Sequence, residues 1–148
     1  MVWGGILKNE KSDLILFDGS VNAVTYIDNA INDGMLPFFN QHPNAILMHD
    51  NAPPHTAFAT RTHLRNLGIP VLPWPSKSPD INPIEHIWDE LERRLQARQN
   101  VPNNVGELRQ ALIEEWQAIP RDRVRRVICS MRRRVLAVIA ANGGHTRY

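Results

Sequence analysis

The chain has 148 residues, 43% hydrophobic and 22% charged, which suits one globular domain and is short for two. Cys129 is the single cysteine, which excludes an internal disulfide framework and a multi-cysteine zinc site. The longest apolar runs fall far below the roughly 18 residues of a membrane-spanning helix, and no secretory leader pattern is visible, so we expect an intracellular protein without a membrane partner.

The net charge of +2 conceals an asymmetry along the chain. Residues 1–60 carry two lysines and six acids, whereas residues 61–148 carry 15 basic and nine acidic residues. Seven arginines fall between Arg121 and Arg134. A basic half suits a polyanion such as nucleic acid, and a solvated helix face is the alternative.

The N-terminal stretch predicts a β-hairpin followed by a helix. We expect two short strands in "MVWGGIL" and "DLILFDG", joined by the polar turn "KNEKSD". Gly34 is expected to end the helix that follows. Apolar residues recur in that helix at helical spacing: Val24, Ile27, Ala30 and Ile31.

The middle of the chain predicts two strands that flank a helix. "NAILMHD" and "IPVLPW" are apolar runs without polar alternation, as in parallel strands that are covered on both faces. Between them, "HTAFATRTHLRNLG" predicts a helix closed by Gly68. The composition of "PSKSPDINP", which follows, is typical of a loop.

The C-terminal part predicts three helices. The first is expected to begin at Pro83 after an Asn82 cap, and the second is expected to be capped near Asn104. The third is expected over residues 121–141, with Gly143 and Gly144 ending it. Strands that alternate with helices predict an α/β domain with a helical tail from residue 82 onward. The third helix carries one apolar stripe: Val124, Val127, Ile128, Met131, Val135 and Val138.

Two acids stand where an α/β protein places reactive groups. Asp50 ends a strand-like run, and reactive groups gather at the carboxyl ends of such strands. Glu85, in the first turn of the helix that begins at Pro83, is its best partner. Paired carboxylates bind hard cations such as Mg²⁺, and two ions about 3.5–4 Å apart support phosphodiester cleavage. The residues alone leave plainer roles open: a turn for Asp50 and a helix cap for Glu85.

Three segments resemble the catalytic domain of Tc/mariner-type transposases: "LMHDNAPPHTA", "LPWPSKSPDINPIEHIWDELERR" and "SMRRRVLAVIAANGGHTRY". These enzymes belong to the DDE transposase and integrase superfamily, and the resemblance spans essentially the whole chain. It implies an RNase H-like mixed sheet flanked by helices, with a core over about residues 1–98 and C-terminal helices over about 104–142. One departure is Arg132, where relatives often carry Pro.

The resemblance also implies roles for individual residues. Asp50 and Glu85 match the second and third acids of the family, with 34 residues between them, and would be ligands of Mg²⁺ or Mn²⁺. Asn51 and His55 would orient Asp50 or reach a DNA phosphate, with a turn or helix-cap role as the alternative for each. Strand alternation puts His49 on the face opposite Asp50, so we expect His49 to pack or cap rather than bind a metal.

The family uses three acids, and this chain shows two. In relatives the first acid lies on a central strand ahead of "MVWGG", so we expect that strand and the DNA-reading helix-turn-helix domain to be missing before Met1. Loss of the strand would leave two unpaired edges. Asp18 is no substitute, because the resemblance puts it on an edge strand. We therefore expect one truncated domain over residues 1–148 with an incomplete two-metal site, inactive by itself.

The implied function is metal-dependent cleavage and strand transfer of transposon DNA by the intact protein. Its expected partners are transposon ends and target DNA, with a homodimer allowed and no small-molecule cofactor. The expected location is the nucleus, or otherwise the cytoplasm. The alternative is a non-catalytic remnant that binds nucleic acid or has a structural role. Five arginines are expected to contact phosphates: Arg121, Arg125, Arg126, Arg132 and Arg133.

Overall fold

The computed structural model describes residues 1–75, 78–142, 144 and 146, and it divides the chain into two compact units. The first unit comprises residues 1–5 and 12–78, and the second comprises residues 6–11 and 79–148. The single domain with a core over residues 1–98 stays a prediction. The helix that carries Glu85 belongs with the C-terminal helices in the second unit. Among the described residues, no helix combines the length and the hydropathy needed to cross a membrane.

Four short strands form the N-terminal hairpin: β1 (Val2–Trp3), β2 (Ile6–Leu7), β3 (Glu10–Lys11) and β4 (Ile15–Leu16). β1 pairs antiparallel with β4, and β2 pairs antiparallel with β3. The predicted hairpin is confirmed, but its turn is shorter than "KNEKSD". The polar pair that forms β3 continues the ladder, so the chain reverses within residues 8–9.

The helix after the hairpin runs further than expected. It consists of α1 (Ala23–Thr25), a π-helical segment (Tyr26–Met35) and α2 (Leu36–Gln41). It begins with a capping box, in which the Asn22 side chain accepts hydrogen bonds from two backbone N–H groups of the first turn. Gly34 lies inside this helical run, so the prediction that it ends the helix is wrong.

Close packing, rather than helix termination, explains the glycine at position 34. A Cβ atom there would lie 2.7 Å from Cζ3 of Trp3 and 3.0 Å from Cγ1 of Ile15, both on the hairpin. Such contacts are too short for any larger residue to be accepted without displacement of the strands. Gly34 therefore lets the buried face of the helix approach β1 and β4 closely.

The predicted helix between the two apolar runs is present in two pieces, α3 (Pro53–Thr56) and α4 (Phe58–Asn66). Ala57 interrupts them with an extended backbone, at ψ 143°. Gly68 follows α4 with a φ of +68°, the left-handed conformation that glycine adopts without strain, which confirms the predicted end of the helix.

The two predicted parallel strands are reduced to one bridge between Leu47 and Val71. Its orientation is parallel, as predicted. Backbone hydrogen bonds of 2.8 Å join Leu47 N–H to the Pro70 carbonyl and Leu72 N–H to the Leu47 carbonyl. Coverage on both faces was a wrong expectation, because Ile46 is 60% exposed. Within the described residues no further strand pairs with this segment, so the bridge is not extended into a longer ladder.

One apolar core holds the first unit together. It joins the hairpin, the first helical run and α4, and burial of each large side chain contributes about 1.5–3 kcal/mol to stability. The core therefore sets the position of the turn that follows Leu47. Its buried members are Phe17, Tyr26, Ala30, Ile31, Met35, Leu64 and Ile69.

The second unit is helical apart from the tip of the hairpin. A 3₁₀ turn (Pro79–Ile81) leads into α5 (Pro83–Gln96), and α6 (Val105–Ala118) follows. The basic C-terminal segment forms α7 (Arg121–Cys129) and α8 (Met131–Ala140). The predicted tail of helices from residue 82 onward is thus confirmed in the described part of the chain.

Both predicted N-caps of these helices are confirmed. The side chain of Asn82 accepts a hydrogen bond from the backbone N–H of Ile84, and that of Asn104 accepts one from Glu107 at 2.9 Å. α8 ends at Ala140, and two residues later Asn142 has a φ of 50°. Of the predicted glycine stop, Gly143 lies outside the described residues.

The single helix expected over residues 121–141 is broken at Ser130. Its hydroxyl donates to the Val127 carbonyl at 2.6 Å, and this residue separates α7 from α8. Val124 is buried as predicted, whereas Val135 is 41% exposed and Arg134 is buried instead. The predicted stripe is therefore wrong at Val135, whereas Met131 and Val138 are partly buried.

Lys11 caps the C-terminus of α6 from the hairpin tip. Its Nζ donates to the carbonyls of Trp116, Gln117 and Ile119 at 2.5, 3.0 and 2.6 Å. Burial lowers the pKa of Lys11, and Arg94 adds to this effect. The last carbonyls of a helix lack intrahelical partners, so an ammonium there meets both their hydrogen bonds and the helix dipole.

We expect Lys11→Met to lower the free energy of unfolding by about 1.5–3 kcal/mol, because three carbonyls lose a charged donor. Methionine keeps most of the aliphatic stem, so the loss reports on the ammonium. Urea unfolding followed by far-UV circular dichroism measures the effect. Lys8→Met, at an exposed position of the same hairpin, is the matched control. Equal losses in the two variants would contradict a capping role.

Candidate functional site

Asp50 lies where the chain leaves the Leu47 bridge and turns into α3. Its Oδ1 accepts a hydrogen bond from the backbone N–H of Ala52 at 3.0 Å and lies 2.6 Å from Nδ1 of His55. The described residues provide no hydrogen-bond partner for Oδ2, and the side chain is 55% exposed. One carboxylate oxygen is therefore held in place while the other is accessible to a ligand.

Packing fixes the ring of His55 beside this carboxylate. The ring stacks on His49, with centroids 4.8 Å apart and an interplanar angle of 13°. The His55 ring also packs against the ring of Tyr26, with centroids 4.5 Å apart. His55 therefore needs no large rearrangement to orient Asp50.

His49 packs in the structure, as the strand pattern predicted. Burial lowers its pKa to about 4, and the neighbouring His55 acts in the same direction. Its Nδ1 is buried and has no hydrogen-bond partner in the part of the chain that the structure describes. The ring is therefore neutral at pH 7.

We expect the first unit to lose stability as the pH falls from about 6.5 to about 4. The folded protein keeps His49 neutral in this window, whereas the unfolded chain binds a proton from pH 6.5 downward, so acid favours unfolding. One pKa unit corresponds to about 1.4 kcal/mol, and partial exposure screens the effect, so we expect a loss of about 1–2 kcal/mol.

His49→Phe removes this titration and keeps an aromatic ring for the stack. Urea unfolding at several pH values should show a smaller acid dependence for the variant than for the wild type, with pH 7.5 as the internal control. Identical acid dependence in both proteins would show that His49 does not cause the loss.

The described hydrogen bond of the Asn51 side chain is to Trp74 rather than to Asp50. Its side-chain amide donates to the Trp74 carbonyl at 2.9 Å, which ties the end of one predicted strand to the end of the other. Of the two residues predicted to assist Asp50, His55 is therefore the one that the described contacts bring to it.

A cavity of about 430 Å³ opens beside His49, Asn51 and His55 within the first unit. Arg61 and Arg65, one turn apart on α4, line it and are both exposed. Trp74 supplies an aromatic face. Sequence reasoning missed these two arginines, although their spacing of four residues puts them on one helix face.

Glu85 lies in the first turn of α5 within the second unit. The side-chain amide of Asn82 donates to its Oε1 at 3.1 Å, whereas the backbone N–H of Asn82 donates to the Pro79 carbonyl, so the contact differs from that of a capping box. A carboxylate offers about four lone-pair sites, so a bond from Asn82 is compatible with cation binding. The helix N-terminus also favours its negative charge.

Asp50 and Glu85 belong to different compact units, and their roles as metal ligands stay predictions. Within the described ranges, no three side chains of His, Cys, Asp or Glu gather closely enough to hold a metal ion.

The five arginines predicted to contact phosphates are all exposed on α7 and α8. Arg125 pairs with Asp122 at 3.1 Å. For Arg126, Arg132 and Arg133, the described part of the chain shows no ion pair. Their contact with DNA stays a prediction. The full set is Arg121, Arg125, Arg126, Arg132 and Arg133.

Comparison with protein families and curated proteins gives consistent matches. A family model described as DDE superfamily endonuclease matches residues 1–109. The transposable element Tc1 transposase of Caenorhabditis elegans is 36% identical over 152 residues, and the Tcb1 transposase of Caenorhabditis briggsae is 35% identical over 150. Each alignment covers 100% of this chain and 54% of the relative. The chain thus spans about half the length of the curated relatives it matches.

Solved structures share the fold. The Mos1 transposase catalytic domain with raltegravir and Mg matches with a TM-score of 0.77 and 22% identity, over 99% of this chain and 84% of that chain. The mariner Mos1 paired end complex with Mg matches with a TM-score of 0.82 and 25% identity, over 95% of this chain and 42% of that chain. These likenesses confirm the expected fold class, an RNase H-like α/β domain with a helical tail.

Proposed function

Because the chain belongs to the DDE superfamily of endonucleases, we propose that it supplies two catalytic carboxylates for cleaving and joining transposon DNA. These are Asp50 and Glu85, with the remaining acid on a strand that the family places ahead of β1. The geometry of Asp50 is the observation that carries the proposal. One oxygen is fixed by a backbone N–H and by His55, and the other is left accessible. A turn residue alone has no need of the histidine.

The donor chemistry suits Mg²⁺ or Mn²⁺. Carboxylate oxygens are hard ligands, and an exposed carboxylate held by a second group is the usual form of such a ligand. When bound, such ions activate a water molecule and stabilise the leaving oxygen of a phosphodiester. His55 orients the Asp50 carboxylate, and the Asn82 cap orients that of Glu85. The solved Mos1 structures with Mg or Mn support the same choice of ion.

DNA is the proposed partner, with transposon ends and target DNA as the substrates. Exposed arginines without an ion pair in the described part of α7 and α8 carry the proposal, since guanidinium groups bind phosphates with paired hydrogen bonds. Arg61 and Arg65 add positive charge near Asp50. Complexes of Mos1 with transposon ends support this choice. Work on chromosomal DNA would place the protein in the nucleus, and two copies would engage two ends.

A non-catalytic role in nucleic-acid binding is the second candidate, because the arginine surface requires neither acid. The two functions differ in their need for a metal ion. In the second case, substitution of Asp50 or Glu85 would leave DNA binding unchanged and no metal ion would bind at either residue.

Titration of the 148-residue chain with Mn²⁺, followed by water-proton relaxation, tests the proposed function. We expect Asp50→Asn and Glu85→Gln each to weaken binding at least about 10-fold, because each removes a charged ligand. Asp18→Asn is the matched control, because Asp18 is an exposed acid of the first unit outside the proposed site. Equal affinity in the wild type and both variants would contradict the metal site, as would an equal loss in Asp18→Asn.

A further inference from the structure

One buried arginine of the second unit, Arg134, belongs to neither the metal ligands nor the DNA contacts proposed above. Arg134 on α8 is 6% exposed, unlike its neighbours Arg132 and Arg133 on the same helix. It cannot serve as a phosphate contact from this position. Burial of a guanidinium is costly unless its N–H groups are satisfied, so its partners define its role.

Three described contacts of Arg134 join separate places in the second unit. Its Nε donates to Oγ of Ser130 at 2.7 Å, at the junction of α7 and α8. Its Nη1 donates to the carbonyl of Asp80 at 3.2 Å, in the 3₁₀ turn, and also contacts Nε2 of His86. One side chain thus joins the C-terminal helices to the turn that precedes α5 and to the first turn of α5.

The contact with His86 requires a neutral imidazole, because Nε2 must accept the hydrogen bond. Burial lowers the pKa of His86, and the neighbouring Arg134 acts in the same direction. The arginine therefore meets only neutral acceptors among these three partners.

These contacts flank Glu85 on both sides along the chain. Asp80 precedes the Asn82 cap, whose side chain donates to the Glu85 carboxylate at 3.1 Å, and His86 follows Glu85 directly. A movement of either flanking contact would move the first turn of α5 and the carboxylate with it. Burial of Arg134 makes such movement costly, because it would leave donors unsatisfied.

We propose that Arg134 is a positioning residue for Glu85, joining α8 to the turn and helix start that present this carboxylate to a divalent cation. This role rests on the proposed function, because it acts through a metal ligand. The alternative is that Arg134 only stabilises the fold and has no effect on metal binding. The two differ in whether the effect of Arg134 depends on Glu85.

A double-mutant cycle in the 148-residue chain separates these readings. Mn²⁺ affinity is measured for the wild type, Arg134→Met, Glu85→Gln and the double variant, with thermal unfolding recorded for each. We expect Arg134→Met to weaken Mn²⁺ binding about 10-fold, in the range of groups that orient a metal ligand. In the Glu85→Gln background the same change should have no further effect. Arg93→Met, at an exposed arginine of α5 outside the proposed metal and DNA contacts, is the matched control and should bind Mn²⁺ as the wild type does.

Arg134→Lys keeps a charged donor and should restore part of the affinity, and it carries the test if Arg134→Met fails to fold. Wild-type affinity in a folded Arg134→Met variant, or an equal loss in both backgrounds, would overturn the positioning role. Equal affinity of the wild type and Glu85→Gln would instead overturn the proposed function itself, and the role of Arg134 with it.

Discussion

Replacing Asp50 by Asn should lower strand cleavage on the order of 10³-fold in a protein that carries all three acids of the family, and only substitution of Glu85 is expected to have as large an effect. Asparagine keeps the size and one oxygen of the side chain, so it can still accept the hydrogen bond from Ala52. It loses the negative charge and the second carboxylate oxygen. The loss therefore falls on cation binding rather than on the fold of the turn.

The experiment needs a protein that carries all three acids. A chimera that joins the N-terminal part of the Tc1 transposase to residues 1–148 provides one, since 36% identity over the whole chain supports the exchange. Cleavage of a labelled transposon-end duplex with Mg²⁺ is the measurement. Glu85→Gln should match Asp50→Asn, and the 148-residue chain without the added segment should not cleave.

His55→Ala in the same chimera should lower strand cleavage by only about 10–100-fold. His55 orients the Asp50 carboxylate but is not itself the proposed metal ligand. Asp18→Asn should cleave as the parent chimera does. Cleavage by Asp50→Asn within a few-fold of the parent would contradict the assignment of the second acid.

Loss of three arginines at the surface of α7 and α8 should weaken DNA binding by about 10–100-fold at low salt. The triple variant replaces Arg126, Arg132 and Arg133 by Ala. Each phosphate contact contributes about 0.9 to the slope of log affinity against log salt, so the slope should fall by about 2–3. The loss should be similar for all DNA sequences, because phosphate contacts carry no sequence information.

Two variants control for other causes. The same three positions changed to Lys should keep the salt slope, since charge is conserved. Arg93→Ala removes an exposed arginine already paired with Glu90 at 3.1 Å and should have little effect. Circular dichroism checks the fold, since arginine stems also cover apolar surface. An unchanged slope in a folded triple alanine variant would leave α7 and α8 as packing elements only.

Features set by neighbouring residues were predictable from the sequence. The caps at Asn82 and Asn104 follow from side chains that bond to the next turn, and the end of α4 follows from the backbone freedom of Gly68. The acidic residue at the end of the "NAILMHD" run was placed correctly at a turn. These signals need no knowledge of tertiary contacts.

Features set by distant contacts were not predictable in the same way. The sequence around Gly34 is typical of a helix end. In the structure, a glycine is needed there because the side chains of Trp3 and Ile15 on the hairpin pack against it. Arg134 lies seven residues after Val127 and on the same buried face, but the polar groups that it contacts there lie on other elements and were not predictable. The cap formed by Lys11 joins residues more than 100 positions apart in sequence.

The candidate site shows the same division. The sequence brought Asp50 and His55 into one motif, and their contact is local. The role of Asn51 depended on Trp74, 23 residues away, and the sequence left it open. The contact between His86 and Arg134 was not predicted, because the arginine lies on another helix. Chemistry that depends on such long-range contacts requires the folded chain.

Anomalous scattering from a crystal of the chain grown with Mn²⁺ tests the central assignment most directly. A Mn²⁺ peak within about 2.0–2.2 Å of carboxylate oxygens from both Asp50 and Glu85 is the expected result. The peak should vanish in the Asp50→Asn variant and persist in Asp18→Asn. Crystals that contain Mn²⁺ elsewhere but at neither of the two acids would contradict the assignment of Asp50 and Glu85 as metal ligands.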